Sequence, residues 1–139
     1  MTDFTVTGAG DVLDYLIEGT AVTGNGALFI GLFTGDPGSD GTPANEVSTS
    51  GSAYTRQALV DAFEVDPTER TATSNADITW TTATASWGDI THIGICNTST
   101  VNTAVGSILF HTAITGSAVT VGDGDQAKIS LGNLTLTLN

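Results

Sequence analysis

The residues of this 139-residue chain that could do chemistry are few and scattered. Cys96 is the single cysteine, and His92 and His111 are the two histidines. A hydrolytic triad needs a nucleophile, a histidine base and an orienting carboxylate brought together. Both histidines lie in apolar, β-branched runs, where a core or interface histidine is the plainer account. G-x-S-x-G, H-E-x-x-H and C-x-x-C are all absent. One cysteine with two distant histidines gives no zinc spacing. Asp36, Asp40 and Glu46 could offer oxygens to a calcium ion, as could Asp123 and Asp125. Their spacing follows no calcium-loop frame, and Asp in Gly- and Pro-rich segments is first of all a turn former. The reading is therefore of a chain without enzymatic activity, metal or cofactor.

Charge excludes more. Arg56, Arg70 and Lys128 stand against fifteen acids, a net charge of −12. Such a chain cannot neutralise phosphates, so nucleic acid is not expected as a partner. The same sign disfavours anionic membranes, and no apolar run approaches the roughly 20 residues of a spanning helix. The first residues, M-T-D-F-T-V, lack the basic start and apolar stretch of an export leader. Threonine outnumbers every other residue type, which favours strands while keeping them soluble.

The elements that must position these residues centre on Asp77–Cys96. In its second half Thr91, Ile93 and Ile95 share one face of a strand, and His92, Gly94 and Cys96 the other. With neither face strongly polar, this strand is predicted to lie inside a sheet covered on both sides. Trp87 and His92 then belong to packing or an interface.

Upstream, Asp11 reads as the N-cap of a short helix with a Val12, Leu13, Leu16, Ile17 stripe, closed by Gly19. Too short to stand alone, it should dock on the domain's own sheet or serve as an arm for a neighbouring subunit. Ala27–Phe33 is a buried strand. A long loop over 34–52, carrying Asp36 and Glu46, is of a length that is often functional. Tyr54–Phe63 reads as a strand in which Arg56 pairs a carboxylate or packs across Tyr54, as a structural clamp. A hairpin arm is expected around Arg70–Thr73, and a plain turn at Gly122–Asp125. Gly132–Asn133 shifts the phase of the C-terminal leucines, either as a hairpin turn or as a bulge in one long strand. That strand should end deep in the core. Together these elements predict one domain over 1–139, a jelly-roll-like β-sandwich with one short N-terminal helix.

Several pieces taken in order resemble a group of small structural proteins of tailed bacteriophages. They are the short helix ending in Gly19, A-L-F-I-G-L-F-T-G-D-P-G at 27–38, and Glu46–Val47. Y-T-R-Q at 54–57, A-T-A-S-W-G-D-I-T-H-I-G-I at 83–95, the Gly122/Gly124 turn and the terminal G-N-L-T-L-T-L complete the set. The resemblance implies a virion component rather than an activity. The leading expectation is a homo-oligomeric, trimeric cement or decoration protein that clamps the major capsid protein or other virion proteins on the capsid exterior. The other reading is a tail-fibre or tail-tip module, with carbohydrate of the host as a partner. On either reading, loops and termini make the contacts.

Overall fold

A computed structural model describes residues 3–19, 28–41, 43–101 and 107–137, with the side chains of residues 3, 4 and 14 left aside. The class expected from the sequence holds: the chain is all-β with one short N-terminal helix. Among the described residues the strands pair as one five-stranded antiparallel sheet and three small ones, rather than as the two large sheets of a jelly roll.

The large sheet has the order β1 (Asp3–Phe4), β9 (Ile108–Ala113), β8 (His92–Cys96), β2 (Phe29–Phe33), β3 (Gln57–Ala58). The His92–Cys96 strand is thus central, and its neighbours on both sides are the other two apolar strands. Gly31 pairs Gly94 and Ile30 pairs Ile95 on one side. On the other, Ile95 pairs Phe110, after which a bulge shifts Cys96 opposite Ile108. The two-residue alternation sends Ile30, Leu32, Ile93 and Ile95 into the main core. Phe33, Cys96 and Ile108 form a second cluster on the opposite face. A Cβ on Gly94 would lie 2.9 Å from the Phe33 ring, so the glycine makes room for it.

The small sheets pair β4 (Phe63–Asp66) and β5 (Thr71–Ser74) as the expected hairpin, β6 (Ile78–Thr79) with β11 (Lys128–Ile129), and β7 (Gly88–Ile90) with β10 (Val119–Val121). β12 (Thr135–Thr137) adds to β5. The phase change at Gly132–Asn133 is accordingly neither a hairpin nor a bulge. Leu131 to Asn133 make a turn, with Asn133 N–H donating to the Ser130 carbonyl at 3.0 Å and Gly132 at φ +79°, that carries the chain from one sheet to another. In the C-terminal run Leu134 is buried and Leu136 packs half-buried against the main core, while Thr135 and Thr137 on the other face of β12 are exposed. Leu138 lies outside the described residues. Of the strand expected over 54–63, Gln57–Ala58 pairs with β2 and Phe63 opens β4, while 54–56 and 59–62 lie outside the strands.

Helix α1 (Val6–Glu18) begins six residues before the expected start. Thr5, not Asp11, is its cap: the Thr5 hydroxyl accepts the Gly8 N–H at 3.1 Å and donates to the Ile108 carbonyl at 2.5 Å. Gly19 closes it at φ +67°, as the sequence predicted. The larger correction concerns the stripe. Leu13, Leu16 and Ile17 are 59, 69 and 79% exposed, so the helix does not bury its apolar face on its own sheet. It meets β9 through Gly8 in its first turn instead. The Gly8 backbone lies so close to the Leu109 carbonyl that no side chain fits between them. No helix among the described residues is long and apolar enough to cross a membrane.

Candidate functional site

Three of the residues singled out in the sequence meet in one buried cluster. Past β2 the chain loops out and returns, so that Glu46 bridges to Phe33 and the Val47 N–H donates to the Leu32 carbonyl at 3.1 Å. Ser52, Tyr54 and Arg56 then alternate inward although they lie outside the paired strands. The Arg56 guanidinium grips both Glu46 carboxylate oxygens, Nε at 2.7 Å and Nη2 at 2.8 Å, and its Nη1 donates to the Thr98 carbonyl at 2.9 Å. Neither charged side chain is exposed. The Tyr54 hydroxyl accepts the Leu32 N–H at 2.7 Å and donates to Glu46 at 3.3 Å. Beneath them Gly31 keeps the space clear, since a Cβ there would stand 3.0 Å from the Glu46 carboxylate.

The electrostatics are those of a clamp. Burial opposes the charge on Arg56, but the hydrogen-bonded Glu46 carboxylate overrides it and raises the Arg56 pKa. Burial first and the Glu46 charge second push the Tyr54 phenol up. Burial also pushes the neighbouring Cys96 thiol up to about 12, against the pull of Arg56. A thiol held protonated and a doubly engaged ion pair are poor reagents, yet they tie the 34–52 loop to the sheet and to the turn at Thr98.

Trp87 joins this cluster through packing. Its ring meets Tyr54 edge-to-face at 5.3 Å, and its indole N–H donates to the Ser52 carbonyl at 2.8 Å. Asp36 and His92 are elsewhere. Asp36 is exposed and makes the turn expected of it, accepting the Gly38 N–H at 2.8 Å, with His111 Nδ1 3.6 Å away. His92 is half-buried, with Nδ1 2.9 Å from the Thr91 hydroxyl. Among the described residues no three His, Cys, Asp or Glu side chains gather as a metal site would require.

Two surfaces stand out that side-chain chemistry did not flag. One is the outward face of α1, where Val6, Tyr15, Leu16 and Ile17 are each more than half exposed. The other is a cleft of about 1040 Å³ beside the main core, with Leu32, Trp80, Ile90, Ile93 and Leu134 in its wall. The helix stripe was legible in the sequence, and of its two expected partners the domain's own sheet does not cover it. The cleft was not, because its wall is drawn from seven separate strands and the turns between them.

Comparison with protein families gives first the class, tail-fibre-like structural proteins of bacteriophage virions. The family is the one described as Podophage GP4 fiber I protein gp80; its model matches residues 3–137, and the chain belongs to it. No curated protein matches the chain.

Proposed function

We propose that this protein is a non-enzymatic building block of a phage tail fibre or of the tail structure that carries it, joined to other virion proteins. The observation that carries the reading is the fibre-family match over residues 3–137. It favours the tail over the capsid-cement role that the sequence first suggested, for which no particular feature of the fold speaks. The Glu46–Arg56 clamp supports a structural rather than a catalytic part, since its charges are spent on each other.

Direct recognition of host carbohydrate gains little from the rings. Sugar stacking needs exposed aromatic faces, whereas Tyr54, Trp80 and Trp87 are 1, 1 and 4% exposed. Tyr15 is the exposed one of the four. Labelling of intact virions with an antibody against this chain, together with its copy number by quantitative mass spectrometry, tests the proposal. Label on the tail and a copy number far below that of the major capsid protein are expected. Label spread over the capsid, at a copy number comparable with the capsid protein, would overturn it.

A further inference from the structure

We propose that three copies of this chain pack together through α1, the outward apolar face of each helix meeting the same face of its two neighbours around a three-fold axis. The inference stands whether the protein sits on the tail or elsewhere in the particle. Val6, Ala9, Leu13 and Leu16 follow the three-four spacing of a heptad seam, as positions a, d, a and d, and all four are exposed. Gly10, Val12 and Ile17 flank the seam at e and g, again without charge. Gly8, whose backbone lies against Leu109, falls at c, on the far side of the helix. The seam therefore points away from the domain, and another copy reaches it without displacing the sheet.

Charge says what covers this face. By the same spacing Asp11 and Glu18 fall at f and Asp14 at b, so the helix keeps each of its acids off the seam and its flanks. On a chain of net charge −12, most faces of one copy repel those of another, and α1 offers one that does not. Helices that select a different chain do so largely through charges at e and g. Here those positions carry none, which leaves an apolar seam complementary to itself.

Area sets the number of copies. A side chain of Val, Leu or Ile size carries roughly 60–120 Å² of apolar surface. At their exposures Val6, Leu13, Leu16 and Ile17, with Ala9 and Val12 beside them, give on the order of 350 Å² per copy. Two copies would hide about 700 Å² in all, short of the roughly 1,000 Å² at which stable interfaces begin, whereas three hide about that much. A face that is apolar at e and g as well as at a and d is wide enough for two neighbours. A three-fold axis makes the helices parallel, so Leu13 faces Leu13 and Leu16 faces Leu16. A helix of 13 residues is short for a bundle on its own. Held on β9 by Thr5 and Gly8, it is already formed before it associates.

Native mass spectrometry and light scattering on the full chain test this with two variants. Leu13→Asp with Leu16→Asp puts charge on the seam, while Tyr15→Asp puts it at c, an exposed position off the seam. Far-UV circular dichroism checks that both fold. The wild-type chain and Tyr15→Asp are expected at the mass of three chains, and the seam variant at the mass of one. A wild-type chain that is monomeric or dimeric overturns the proposal, as does a seam variant that still assembles. Loss of assembly in Tyr15→Asp as well would mean that added charge, not the seam, is responsible, and the proposal fails. Should the seam variant misfold, a short bis-maleimide cross-linker applied to Leu13→Cys in the Cys96→Ala background decides the matter. Covalent joining of copies is expected well above that of Val65→Cys in the same background, an exposed position on β4. Joining no greater than in that control counts against the interface.

Discussion

At the scale of single residues the decisive contact is Glu46 with Arg56. A bidentate pair with both side chains out of water is a poor bargain against a well-packed apolar pair, but breaking it on one side is costly because the surviving charge has nowhere to go. Arg56→Met should therefore lower stability to urea by about 3–5 kcal/mol. Adding Glu46→Leu to that variant should recover a large part of the loss, since the stranded carboxylate is then removed. Equal instability of the single and double variants would mean that volume, not charge, governs the site. Cys96 gives a second measurable consequence. Its thiol ionises near 9 when unfolded and is pushed to about 12 in the fold. Between those values the native chain keeps a proton that the unfolded chain has lost. Its contribution to stability is complete below pH 9 and declines above it, by up to about 1.4 kcal/mol per pH unit. Tyr54 joins from about pH 10, its ordinary value, upward. Urea midpoints measured from pH 8 to 10 should fall in the wild-type chain and flatten in Cys96→Ala. An unchanged slope would show that the thiol is not the group responsible.

At the scale of elements the helix and β9 are held together by the absence of a side chain. A methyl group on Gly8 would come 2.1 Å from the Leu109 carbonyl oxygen, whereas one on Gly10 would meet nothing within 4 Å. Both substitutions improve helix propensity by about 1 kcal/mol. Gly10→Ala should accordingly raise the melting temperature slightly, and Gly8→Ala should lower it and speed amide exchange through Val6–Glu18. Similar behaviour of the two variants would mean that the helix is not packed on β9 in solution. The same approach explains why the apolar stripe faces outward. A helix that docks through Thr5 and Gly8 at one end has spent its close contact there, and Leu13, Leu16 and Ile17 point away from the sheet.

At the scale of the molecule, fifteen acids against three bases set how it meets other copies of itself. Self-association through apolar surface would bring like net charges together, so salt should favour it. The screening length shrinks from about 30 Å at 0.01 M to about 8 Å at 0.15 M, short enough to hide most of the repulsion outside the contact. The oligomeric fraction in sedimentation velocity is expected to rise with sodium chloride over that range. A fall would show that ion pairs across the interface, rather than apolar burial, hold the copies together.

Much of this was written in the local sequence. The alternation of Thr91–Cys96 placed a central strand, because a period of two with neither face polar has few other solutions. Gly19 marked the end of the helix. The family likeness to phage structural proteins rested on the same strand-and-turn pieces. What needed the tertiary structure were relations between distant residues. Asp11 is a good cap by type, yet Thr5 caps the helix because the Ile108 carbonyl stands ready to receive its hydroxyl. An apolar stripe announces that a helix will be covered, but not by what, and here its own sheet leaves it open. Gly132 and Asn133 show a change of phase without showing that the strands on either side join different sheets. Alternation fixes which face a side chain takes; only pairing across the fold fixes what that face meets.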